Sequence, residues 1–100
     1  MKSLILALLI STSAQADYVD QCVTVYKVAY STMQARQNGI SATRLISLMR
    51  ENSLKQRHAY NIVMISNAYK SKIMKTRKNK AIVSTVFAKK YYTKCWTGQA

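Results

Sequence analysis

Few side chains in this sequence have the chemistry of an acid, a base or a metal ligand. Histidine occurs once, as His58, and the acids are Asp17, Asp20 and Glu51. Two-carboxylate hydrolysis needs a placed pair of carboxyl groups, and Glu51 has no evident mate. Asp17 and Asp20 lie close to a proposed processing site, where chain ends fray. His58 shares an apolar stripe with Leu54 and Ile62, the setting of a core or boundary histidine rather than a base. The chain contains no glycine-rich phosphate loop, H-E-x-x-H or G-x-S-x-G, the short patterns that position phosphates, zinc and nucleophilic serines. The expectation is a protein that is not an enzyme, with no catalytic residue, no metal and no cofactor.

The two cysteines, Cys22 and Cys95, could make a metal site, a reactive thiol or a disulfide. A metal site lacks partner ligands, and in an exported chain a pair of cysteines reads as one disulfide. In the loop-entropy model, closing a loop of this length contributes about 4 kcal/mol, as much as the net stability of a small domain.

The strongest remaining chemistry is electrostatic. "KSKIMKTRKNK", residues 70–80, carries six basic residues and no acid. Residues 17–51 hold four basic residues against three acids, whereas residues 52–100 hold eleven basic residues and no acid. A solvated helix ordinarily mixes signs, because interspersed acids relieve repulsion. A one-signed field of this kind attracts anionic partners and speeds their capture, although a surface that only confers solubility would also be basic.

Export is expected from the first sixteen residues. "MKSLILALLISTSAQA" has the basic start, the apolar run Leu4 to Ile10 and the Ala14-Gln15-Ala16 ending of a secretory signal peptide. The run is far shorter than the ~20 residues that cross a bilayer. No cysteine follows the cut to take a lipid anchor. Cleavage after Ala16 leaves residues 17–100 as a single helical domain, periplasmic or secreted.

Helices are expected because proline is absent and glycine occurs only at Gly39 and Gly98. Val19, Cys22, Val23, Tyr26, Ala29, Tyr30 and Met33 recur at three-four spacing. "RQNG" supplies a stop at Gly39. Ser41 is a candidate N-cap for a second helix with Ile40, Leu45, Ile46, Leu48 and Met49 apolar. Asn52 or Ser53 would cap a third, with Leu54, His58, Ile62, Ile65 and Tyr69 inward and Ala59, Val63 and Met64 widening the stripe. The last helix is expected over about 79–94, with Ile82, Val83, Val86, Phe87, Tyr91 and Cys95 inward. "AIVSTVF" also suits a strand by composition, but its apolar residues recur in helical pairs. The fold class is therefore all-α, a bundle of about four helices whose first and last members are joined by Cys22–Cys95.

"TMQARQNGIS" closing the first helix, "NAYK" later and a terminal helix ending in Cys95 together resemble a group of small exported helical proteins of phages and proteobacteria. In size, export and a single disulfide the chain is also similar to the phage superinfection-exclusion proteins of the spackle type, which inhibit a tail lysozyme. These resemblances imply an accessory protein, phage or bacterial, that acts in the envelope; they carry over no functional residue.

The expected function is docking of the cationic half onto an anionic envelope component: lipid headgroup, lipopolysaccharide or wall polymer. The contact residues would be Lys70, Lys72, Lys75, Arg77, Lys78, Lys80, Lys89, Lys90 and Lys94. Tyr92 and Trp96, four apart, could anchor at a membrane–water interface or simply cover the disulfide. Peripheral membrane contact is compatible with this reading. Deep insertion is not expected, since the apolar faces are assigned to the core. The alternative is a protein inhibitor or exclusion factor that blocks an envelope or phage enzyme such as a lysozyme. Specific nucleic-acid binding is not expected: no zinc-finger spacing, RNA-recognition sequence or recognition helix is present.

Overall fold

The computed structural model describes residues 21–52 and 55–98, and the side chains of 21–48 and 62–98. The proposed signal peptide, Asp17, Val19, Asp20, Ser53 and Leu54 lie outside the described residues. So do the side chains of Met49, Glu51, Asn52, His58 and Ala59. Among the described residues the fold is all-helical, with four helices and no strand. Helix α1 is described over 21–37. Helices α2 (Ala42–Asn52), α3 (Lys55–Ala68) and α4 (Arg77–Trp96) follow.

The first connection is set by short-range chemistry. Gly39 adopts φ 81°, a left-handed conformation that glycine takes without a Cβ penalty. Its N–H donates to the Arg36 carbonyl at 3.1 Å, and the Ile40 N–H donates to the Ala35 carbonyl at 3.0 Å. Together these are the two bonds of a Schellman stop, which satisfy carbonyls the helix leaves open. Ser41 then caps α2: its Oγ accepts from the Arg44 N–H at 3.2 Å. A single Gly-Ile-Ser sequence thus ends one helix and begins the next.

Helices α1 and α4 run antiparallel. Cys22 and Cys95 form a disulfide with their Cα atoms 5.5 Å apart. One turn further along α1, the Tyr26 ring meets the Tyr92 ring edge-on at 6.0 Å. The bond also determines which faces meet. Counting back from Cys95 by four, three and four residues reaches Tyr91, Ala88 and Ser84, the successive members of one helix face. All three are buried. Counting forward from Cys22 reaches Ala29 and Met33, also buried. Ala29, Met64, Ala88 and Tyr91 make the central cluster, flanked by Val25, Tyr26, Val28, Tyr30 and Phe87.

Of the residues expected inward on α4, Tyr91 is buried, Phe87 packs on the core cluster and Cys95 is in the disulfide, while two positions are corrected. Ile82 is 50% exposed and Val86 62% exposed, while Ser84 and Ala88 are fully buried. Val86 lies nine residues from Cys95, about two and a half turns, and so on the opposite side of the helix. The buried line of α4 thus carries the small residues Ser84 and Ala88 beside Tyr91. Ser84 spends no unpaired hydroxyl there, since its Oγ donates to the Lys80 carbonyl at 2.8 Å. Val63, expected to widen the inner stripe of α3, is likewise 57% exposed.

Helix α3 joins the pair through polar as well as apolar contacts. Thr32 Oγ1 donates to the Val28 carbonyl at 2.7 Å and also lies 3.8 Å from Met64 Sδ. Asn67 Nδ2 donates to Tyr91 Oη at 2.7 Å, tying α3 to α4.

The orientation of α4 has a direct consequence for stability. Ala88→Leu must overpack a filled site and is expected to cost about 2 kcal/mol. Ile82→Ser and Val86→Ser are expected to change stability by no more than about 0.5 kcal/mol each. Urea unfolding midpoints measure both; a large loss on Ile82→Ser would place that side chain in the core.

Candidate cationic interface

The basic stretch quoted above divides into two parts. Residues 69–76 form a non-helical connection, and residues 77–80 are the first turn of α4. Thr76 makes the division. Its Oγ1 accepts from the Asn79 N–H at 3.1 Å and its backbone is extended, the geometry of an N-cap. Helix α4 accordingly starts two residues earlier than the apolar spacing indicates, and it ends at Trp96.

The connection is held in place by the end of α1. Gln37 is 2% exposed, and its amide makes a two-point contact with the non-helical backbone beside it. Nε2 donates to the Lys72 carbonyl at 3.0 Å, while Oε1 accepts from the Met74 N–H at 2.7 Å. One primary amide thus satisfies a carbonyl and the N–H two residues on. Arg36, one residue earlier, donates from Nε to the Ser71 carbonyl at 2.9 Å. Its guanidinium also lies over the Tyr69 ring, 5.3 Å from the centroid. Tyr69 Oη donates in turn to the Ile40 carbonyl at 2.6 Å. The Tyr69 hydroxyl is pushed above its ordinary pKa by burial, with the Arg36 charge opposing that shift.

On this fixed backbone Lys70, Lys72, Lys75, Arg77 and Lys78 are all exposed, and Lys80 is half-buried. Lys89 and Lys90 are exposed about three turns further along α4. Lys94 is drawn aside: its Nζ lies 5.4 Å from the centroid of the buried Tyr91 ring. The expected contact residues therefore form one cluster at 70–78 and a second at 89–90, with Lys80 and Lys94 on the flanks of α4. Tyr92 is half-buried between Tyr26 and Trp96, with its ring 6.0 Å from each. It covers the first turn beyond the disulfide, whereas Trp96 is 42% exposed.

The spacing of charges identifies the lysines but not Gln37, which holds their backbone, or Asn67, which ties α3 to α4. A glutamine four residues after Met33 on an otherwise apolar face was the available signal, since a buried amide needs partners. Among the described residues, no three His, Cys, Asp or Glu side chains are grouped to hold a metal ion. None of the described helices is long and apolar enough to cross a membrane. No protein-family model, curated protein or solved structure matches the chain significantly.

Two outcomes follow from this geometry. Gln37→Leu leaves the Lys72 carbonyl and Met74 N–H without their amide partner and is expected to cost about 2 kcal/mol. Hydrogen exchange at the Met74 amide should accelerate more than exchange in α1. Tyr69→Phe is expected to cost about 1 kcal/mol at neutral pH. Because the folded state holds the Tyr69 proton more tightly than the unfolded chain, this contribution is complete below about pH 10 and is lost as pH rises through the raised folded pKa. The stability gap between wild type and Tyr69→Phe should therefore narrow above about pH 10, as read by urea titrations across that range.

Proposed function

We propose that the chain is an exported, non-enzymatic binding protein that docks through its cationic half onto an anionic component of the cell envelope. The observation that carries this reading is the fixed 70–78 cluster: five exposed basic side chains on a backbone tied down by Arg36 and Gln37, in a half of the chain that has no acid. Holding like charges together costs repulsion, and a bound polyanion offsets it. A rigid display also loses less conformational entropy on binding than a flexible tail.

Export is supported by the signal-like first sixteen residues and by the Cys22–Cys95 disulfide, a bond that persists in oxidising compartments. The shared chemistry of the candidate partners is a surface of phosphates or carboxylates, whether headgroup, lipopolysaccharide or wall polymer. An accessory role in the envelope, phage or bacterial, fits such a docking module.

Co-sedimentation with anionic vesicles and with anionic wall polymer tests the reading. Binding should fall steeply between low and physiological salt. At roughly 1 kcal/mol per basic residue near an anionic surface, Lys70→Gln, Lys72→Gln and Lys75→Gln combined should weaken it about a hundredfold. Salt-independent binding would count against the proposal. So would stoichiometric capture of one envelope or phage enzyme that the triple substitution does not disturb, which is the outcome expected of an inhibitor.

A further inference from the structure

The lysines of α4 frame an apolar pair that the fold leaves uncovered. Ile82 and Val86, one turn apart, are 50% and 62% exposed on the side of α4 away from the core. Lys78, Ile82, Lys89 and Trp96 follow one another at intervals of four, seven and seven residues, one line along a helix. Asn79, Val86, Lys90 and Thr93 form the neighbouring line. All of these side chains are exposed. The outer face thus has aliphatic groups at its centre, lysines on both sides and an indole at its far end.

We propose that this face of α4 lies in the surface of an anionic phospholipid bilayer, with Ile82, Val86 and Trp96 at the headgroup–acyl boundary. This rests on the cationic docking proposed above and names its partner. Charge selects the occupant. A second copy of the chain would oppose Lys78, Lys89 and Lys90 with the same lysines, a repulsive pairing. A protein partner is ordinarily held by aromatic or arginine anchors at the centre of a large patch. Here the centre is two β-branched aliphatics on a convex helix and the aromatic ring sits at the end. A bilayer needs no concave complement: lysine stems reach back to the phosphates while the shorter aliphatic groups enter more deeply. The indole and its polar N–H suit the same boundary. Insertion of these residues takes nothing from the core, because Ser84, Ala88 and Tyr91 fill it.

Trp96 is the chain's single tryptophan and reports on the face directly. The full chain is titrated with phosphatidylglycerol–phosphatidylethanolamine vesicles, phosphatidylcholine vesicles and anionic wall polymer. With the anionic vesicles, Trp96 emission should shift to the blue and be quenched by bromines placed high on the acyl chains. The double variant Ile82→Ser, Val86→Ser should keep the salt dependence but lose the shift and at least about tenfold in vesicle affinity. Its urea midpoint checks that it is folded. Unchanged affinity and emission in that variant would overturn insertion while leaving cationic docking intact. Salt-sensitive retention on wall polymer without vesicle binding, or protection of this face by an acidic protein, would overturn the membrane assignment in the same way. Salt-independent behaviour toward every anion would sink both proposals.

Discussion

The Cys22–Cys95 bond sets the rotational phase of the two helices it joins. With the Cα atoms 5.5 Å apart, both cysteines must face the partner helix. Every residue at helical spacing from them then faces it as well. That one constraint turns Tyr91, Ala88 and Ser84 of α4 inward, where Tyr91 and Ala88 share a cluster with Ala29 of α1. It also directs Ile82 and Val86 outward, because they lie roughly half a turn from that line. The buried Ser84 and Ala88 and the exposed Ile82 and Val86 both follow from the direction that bond gives the helix.

The other end of the helix pair is closed by polar contacts. Gln37 and Arg36, in the last turn of α1, hold the backbone of residues 71–74 just before α4 begins. Helix α4 is therefore fixed at its far end by a covalent bridge and at its near end through the connection that precedes it. Asn67 and Tyr91 tie α3 to it in between. A buried amide such as that of Gln37 is costly unless satisfied, and here it meets the Lys72 carbonyl and the Met74 N–H. Stability and charge display are consequently linked: the groups that complete the helix pair also hold the basic connection in a single shape. Lys94 shows the opposite case, a cation turned toward an aromatic ring at the edge of the core.

Much of the architecture was legible in the order of residues. The helices, the Gly39 stop and the Ser41 cap follow from local chemistry that tertiary packing does not override, and the Cys22–Cys95 pairing follows from there being only two cysteines. The inner face of α4 was legible at Phe87, Tyr91 and Cys95 but not at Ile82 and Val86, which recur at the same helical spacing as a core stripe. Hydrophobic pairs report a face, but a disulfide reports its direction. Counting from Cys95 would have identified Ser84 and Ala88 instead. The exposed lysines were readable since a long charged chain is rarely buried. The fixed shape of their backbone was not, because it depends on Gln37 reaching residues 35 and 37 positions away. Sequence separation of that size leaves no local pattern.

The central claim is the orientation of α4, since the core, the cationic display and the membrane face all depend on it. Methyl NMR with a soluble paramagnetic cosolute measures it residue by residue. The account predicts strong broadening of the Ile82 and Val86 methyl signals, with those of Ala29, Met64 and Ala88 protected. Protected Ile82 and Val86 methyls beside a broadened Ala88 methyl would mean that α4 is turned the other way, and would contradict it.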